Sequence, residues 1–177
     1  LQPSWSPDGT QIAFASMRGG NRNVWVVNSD GTNLRQLTDA QPGAPHAGSG
    51  GSAGDPAWSP DGSKLVYGVT VGGSTTLWIM GVDGSNKRQL TLAAGGNAYD
   101  PTWSANGELI AYRREFGSPT QIGLTFVSSS DGTVALPVLT SAPMSHRPGS
   151  SISCSTTVFS SVVWRTSTAR AARWILQ

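Results

Sequence analysis

Pro3-Ser4-Trp5-Ser6-Pro7-Asp8-Gly9 recurs as Pro56-Ala57-Trp58-Ser59-Pro60-Asp61-Gly62 and, weakened, as Pro101-Thr102-Trp103-Ser104-Ala105-Asn106-Gly107. Each copy is followed by an apolar stretch: Ile12-Ala13-Phe14, Leu65-Val66-Tyr67 and Ile110-Ala111-Tyr112. A second apolar stretch follows, as Val24-Trp25-Val26-Val27 and Leu77-Trp78-Ile79-Met80. Its third version, Ile122 to Val127, lacks the Trp. Asp-Gly then returns at Asp30-Gly31, Asp83-Gly84 and Asp131-Gly132, and the unit closes with Arg35-Gln36-Leu37-Thr38, Arg88-Gln89-Leu90-Thr91 and the degenerate Pro137-Val138-Leu139-Thr140.

The periods are 53 residues from Trp5 to Trp58 and 45 from Trp58 to Trp103. Repeats of that length mark solenoids or propellers. The runs are short, β-branched and aromatic, with no helical periodicity, which selects strands. Ser-Pro-Asp-Gly is turn chemistry: Pro presets φ, Asp bonds its own backbone, and Gly accepts positive φ. Asp-Gly in the second turn suits a tight hairpin. Four strands joined by three hairpins form one twisted blade. The sequence therefore predicts an all-β protein of three four-stranded antiparallel β-propeller blades, a partial propeller or part of a larger ring. The expected strands lie near 3–5, 11–16, 23–28 and 34–38, then 56–59, 64–70, 76–82 and 87–91, then 101–104, 108–114, 121–128 and 134–140. The blades span about 1–38, 56–91 and 101–140.

At this point the pattern resembles the WD-like repeat of the TolB propeller family. Similar repeats occur in propellers of prolyl-oligopeptidase-type and tricorn-type proteases. The resemblance covers residues 1–140. It implies a non-catalytic scaffold that binds protein partners in the bacterial periplasm. Two other readings stay open: a gating or substrate-positioning propeller of a larger serine peptidase, and a propeller enzyme acting on polysaccharide.

Composition agrees with a packed β protein. Of 177 residues, 37% are hydrophobic and 12% charged, with seven Trp to bury and 22 Gly to turn the chain. A net charge of +2 is too small to argue for a nucleic-acid or membrane partner. No apolar run is long enough to span a bilayer. The single cysteine, Cys154, excludes an intrachain disulfide framework and a multi-cysteine metal site. No signal peptide is visible and the first residue is Leu1, so the chain reads as a mature form or an excerpt.

Two segments depart from the repeat. Residues 39–55 have Gly, Ser and Pro-rich linker composition and read as an inserted loop on one rim. Residues 141–177 lack both Pro-x-Trp and Asp-Gly; they read as a divergent capping segment, a partial fourth blade, or a stretch read in a shifted frame. Three blades do not close a ring, so self-association or further blades would have to complete it.

Trp5, Trp58, Trp103, Trp25 and Trp78 sit at fixed repeat positions and read as packing between blades rather than ligand stacking. Gly9, Gly62 and Gly107 complete the first turn of each unit. The turn aspartates have no EF-hand spacing and read as turn formers. Gly50-Gly51-Ser52-Ala53-Gly54 matches the nucleophile-elbow pattern but lies in linker composition, with no helix behind it, and reads as a chance match. No metal, nucleotide or other cofactor motif is present, so none is expected. Asp55 and Asp100 precede the inner strand of the second and third blades, where the first has Gln2. Arg18, Arg22, Arg113, Arg114 and Glu115 lie in or beside the second-to-third-strand turns, on the rim shared with His46 of the inserted loop. Loops on a rigid scaffold collect binding residues, so this rim is the candidate protein-binding interface.

Overall fold

The computed structural model describes residues 3–39 and 51–140, with side chains to 134. The segments 40–50 and 141–177, including His46 and the tail readings, lie outside the described residues. Among the described residues twelve strands make three four-stranded antiparallel sheets. The first holds β1 (Ser4–Trp5), β2 (Gln11–Gly19), β3 (Asn21–Asn28) and β4 (Arg35–Gln36). The second holds β5 (Ser52–Trp58), β6 (Lys64–Val71), β7 (Ser74–Gly81) and β8 (Arg88–Gln89), and the third β9 (Asn97–Trp103), β10 (Leu109–Phe116), β11 (Gln121–Ser128) and β12 (Val134–Thr140). Each sheet keeps sequence order, as hairpin-connected blades require. A single 3-10 turn, Ala93–Gly95, is the helical structure among the described residues. No helix there is long and apolar enough to cross a membrane.

Turn chemistry sets the register. Gly9 N–H donates to the Ser6 carbonyl at 2.9 Å, while Asp8 Oδ1 accepts from the Ser6 hydroxyl at 2.6 Å and the Thr10 N–H at 3.0 Å. Asp61 repeats this with Ser59 and Ser63, and Asn106 with Ser104 and Glu108. The following residue takes φ of 70, 71 and 73° at Gly9, Gly62 and Gly107. That left-handed conformation is the one glycine adopts without steric cost.

Alternation then buries one residue in two. Ala13, Val24, Val26 and Leu37 of the first blade pack with Ala53, Trp58, Leu65, Tyr67, Val69 and Met80 of the second. Val66, Leu77, Ile79 and Leu90 on the other face of the second blade pack with Ala98, Ile110, Tyr112 and Val127 of the third. Fully burying one such aliphatic or aromatic side chain contributes about 1.5–3 kcal/mol.

The inner strands are longer than the sequence indicated. β5 begins at Ser52 and β9 at Asn97, so Ser52, Ala53, Gly54 and Asp55 belong to a strand rather than to the inserted loop. Asp55 and Asp100 accordingly lie inside their strands rather than before them. Linker-like composition concealed a packed strand. Ala53 is buried, and a Cβ on Gly54 would stand 2.6 Å from the Arg22 guanidinium carbon. Small residues let this strand pass close to the first blade.

Candidate interface at the hairpin rim

Antiparallel register places the starts of β5 and β9 beside the β6–β7 and β10–β11 hairpins: Ser52 pairs with Thr70, and Asn97 with Glu115. The rim is therefore built from hairpin ends and inner-strand starts together. Register slips between Gly54 and Ala57 in β5, and between Ala111 and Arg113 in β10 opposite β9. Asp55 and Asp100 both take φ 53° at these irregularities, each just before a Pro. Asp tolerates that left-handed region better than most side chains, and a bulge re-aims the residue it carries.

Each of the two aspartates meets an arginine, by different routes. Arg22, at the start of β3, crosses to the second blade and donates to Asp55 Oδ1 at 3.0 Å. Arg113, on β10, donates through Nε to Asp100 Oδ2 at 2.9 Å, pairs with Glu115, and lies 4.7 Å from the Tyr99 ring centre. The hydrogen bond to Asp100 raises the pKa of the Arg113 guanidinium further. Arg114 points the other way, as strand alternation dictates. It donates to the Gly95 carbonyl and stacks 4.7 Å from the Phe116 ring. Arg18, at the end of β2, lies over Phe14 and Trp25 at 5.7 and 5.3 Å. The structure thus joins Arg22 to Asp55, and Arg113 to Asp100 and Glu115. Arg18 and Arg114 stand apart on aromatic platforms. The Arg113–Glu115 pairing is readable as i, i+2 on one strand face; the Arg22–Asp55 contact between blades is not.

Trp58 and Trp103 serve the blade contacts, whereas Trp5, expected to pack in the same way, has no described blade before it. Trp58 donates its indole N–H to the Ser4 carbonyl at 3.1 Å, and Trp103 to the Ala57 carbonyl at 3.0 Å. Each acceptor immediately precedes the tryptophan of the blade before. Trp58 is buried and Trp103 half-buried, whereas Trp5 is 58% exposed. Trp25 and Trp78 are half-buried, and the Trp78 indole donates to Thr76 Oγ1 at 3.2 Å.

On the opposite rim a cavity of about 340 Å³ opens between the Ser-Pro-Asp-Gly turn of the second blade and the matching turn of the third. Asp61, Lys64, Trp103 and Asn106 line it, and the Asp61 and Asn106 side chains are engaged in their own turns. Ser52 opens β5 opposite Thr70, and a strand continues from it to Trp58 where a nucleophile elbow would turn into a helix. No group of three or more His, Cys, Asp or Glu positioned to hold a metal occurs among the described residues.

Three consecutive antiparallel blades, the second and third each locked by a tryptophan that reaches back to the blade before it, define a partial β-propeller. The family model for the TolB beta propeller domain matches residues 1–168, and the chain belongs to that family. The Tol-Pal system protein TolB of Anaeromyxobacter dehalogenans strain 2CP-C is 36% identical over 91 residues, 51% of this chain. That match takes in 19% of the relative, so the chain spans about a fifth of its length. The crystal structure of TolB from Acinetobacter baumannii is similar with a TM-score of 0.60 and 22% identity, over 78% of this chain and 31% of that one. The β-propeller domain of the Trilobed protease from Pyrococcus furiosus is similar with a TM-score of 0.57 and 11% identity, over 81% of this chain and 43% of that one. At these identities the two structures bear on fold alone.

Proposed function

We propose that this propeller is a non-catalytic protein-binding module, working in the periplasm as part of a Tol-Pal-type system, and that it contacts its partner through the hairpin rim. The observation that carries the reading is the family match across residues 1–168. The class of partner comes from the curated relative's name as a Tol-Pal system protein, and the periplasmic location from what the family resemblance implies. The rim is favoured because bulges in β5 and at β10 set Asp55 and Asp100 at equivalent positions, each holding an arginine at the surface. Arginines fixed in this way present oriented donors to a partner with little further loss of side-chain freedom.

Calorimetric titration of the purified chain with the Tol and Pal proteins of its source organism tests the reading. Binding is expected to one of them, weakened at least tenfold in the double variant Arg22→Glu, Arg113→Glu. Unchanged affinity in a folded double variant would remove the rim from the proposal. Failure to bind any component would remove the Tol-Pal reading itself.

A further inference from the structure

On the rim of the Ser-Pro-Asp-Gly turns, two interior junctions share one plan: one between the first and second blades, the other between the second and third. Pro7 Cδ lies 3.8 Å from where a Cβ on Gly62 would stand, and Pro60 Cδ 3.8 Å from where one on Gly107 would stand. Three repeat positions nevertheless differ. The position of Gln11 in the first blade is Lys64 in the second. The positions of Pro60 and Asp61 in the second blade are Ala105 and Asn106 in the third. The two tryptophans follow this difference. Trp58, two residues before Pro60, is 8% exposed, whereas Trp103, two residues before Ala105, is only half-buried. The cavity of about 340 Å³ lies at this second junction, with Ala105 and Trp103 in its wall.

The exchanges also change the charge of the space. Leu65 packs toward the first blade and Val66 toward the third, so alternation puts Lys64 on the third-blade side, where it lines the cavity. Gln11 spends its amide on Asn28 at 3.0 Å. The Lys64 ammonium has no hydrogen bond or salt bridge among the described residues. Asp61 faces the same cavity, and its Oδ2 accepts from the Ser63 hydroxyl at 2.7 Å. A carboxylate oxygen has capacity for a further donor. The Asn106 amide is engaged with Ser104 and Glu108. The Trp103 N–H is spent on the Ala57 carbonyl, so that side chain offers a ring surface. The wall thus holds one ammonium, one carboxylate not bridged to it, and one indole ring.

We propose that this cavity binds a free α-amino acid with an aromatic side chain, its ring against Trp103, its carboxylate on Lys64 and its ammonium on Asp61. The pair of opposite charges selects a zwitterion: a simple anion would meet Asp61, and a simple cation would meet Lys64. Aromatic rings prefer offset or edge-to-face contact with an indole, which adds to the burial of apolar area. A saccharide of similar size needs donors and acceptors all round its ring, and the Asn106 amide is already engaged. The volume is at the lower end of the range of about 300–1,000 Å³ usual for small-ligand clefts. This inference is independent of the hairpin rim and of any Tol-Pal partner.

Titration of the isotopically labelled 177-residue chain with L-phenylalanine, followed on the tryptophan indole N–H resonances, tests the assignment. The Trp103 resonance is identified by its loss in Trp103→Phe. It is expected to shift saturably in the wild type. Hydrocinnamate, which lacks the ammonium, and phenethylamine, which lacks the carboxylate, are each expected to bind at least tenfold more weakly. Lys64→Gln installs the residue of the first blade and is expected to weaken L-phenylalanine at least tenfold. Ala105→Pro installs the residue of the second blade, fills part of the cavity and is expected to abolish the shift. Far-UV circular dichroism checks that both variants are folded, and the exposed Lys64→Gln decides alone if Ala105→Pro is not. The absence of a saturable Trp103 shift would overturn the proposal. Equal or tighter binding of hydrocinnamate or phenethylamine, or unchanged affinity in folded Lys64→Gln, would overturn it equally.

Discussion

The first and second blades carry nearly the same residues on the face that looks back along the chain, yet that face is buried in one and open in the other. Leu65, Tyr67 and Met80 are among the most completely enclosed side chains of the described residues, and Trp58 is buried beside them. Trp5, Ile12, Phe14 and Val27 repeat the pattern with nothing among the described residues to cover them to that depth. Hydrophobicity of a repeat position therefore states what a blade is built to pack against, not whether the neighbour is there. Intrinsic blade stability and blade-to-blade contact are separate terms in such arrays. The two equivalent faces allow them to be separated.

The tryptophans should differ most. Trp58→Ala removes a buried side chain together with its hydrogen bond to Ser4. A loss of about 3–5 kcal/mol is expected from the lost burial and the cavity together. Trp5→Ala, measured by urea denaturation, should cost about 0.5 kcal/mol, as exposed substitutions do. Equal losses would mean that the Trp5 face is covered within one chain, and the contrast between the two blades would fail.

A subtler difference lies on the strand paired with that tryptophan's. Tyr67 and Phe14 occupy the same repeat position, and only Tyr67 carries a hydroxyl. That hydroxyl is buried without a hydrogen-bond partner among the described residues, and burial pushes the phenol pKa up. An unpaired buried polar group costs more than the isosteric apolar replacement. Tyr67→Phe is thus expected to leave stability unchanged or raise it by about 1 kcal/mol, read as a shift in urea midpoint at constant slope. A loss of that size would reveal a partner for the hydroxyl.

The blades were readable in the sequence because their determinants are local and periodic: a turn fixed by Ser-Pro-Asp-Gly, a second by Asp-Gly, and alternating apolar residues between them. Ser52 to Asp55 misled for the opposite reason. Ala53 packs against the first blade and Gly54 lies under the Arg22 guanidinium, contacts with a neighbour about 30 residues away that local composition cannot express. The rim was legible only as a list of charges. Strand alternation pairs Arg113 with Glu115 and turns Arg114 aside. The reach of Arg22 to Asp55 depends on how two blades are set against each other. Nor did composition distinguish Trp5 from Trp58, since exposure is a property of the neighbour.

The smallest effect concerns the turns that the second and third blades build with different side chains. Asp61 accepts from the Ser59 hydroxyl at 2.6 Å and from the Ser63 N–H at 3.0 Å; Asn106 accepts from Ser104 at 2.7 Å and from the Glu108 N–H at 3.2 Å. The fold is the same, so the charge is dispensable for geometry. It still matters to stability. The Ser59 hydroxyl, then the Ser63 backbone and hydroxyl, hold the Asp61 carboxyl at about 2, below its ordinary 3.8. A carboxylate with a depressed native pKa stabilises the fold above its unfolded pKa and loses that contribution as pH falls through the native one. For Asp61 the window runs from about pH 4 down to about pH 2. Asp61→Asn converts the turn of the second blade to the chemistry of the third and removes this titration. Urea midpoints of wild type and variant should therefore differ slightly at neutral pH, in favour of the wild type, and converge across that window. A difference that stays constant from pH 7 to pH 2 would show that the carboxylate acts in this turn only as the amide does, through the shape of its oxygen.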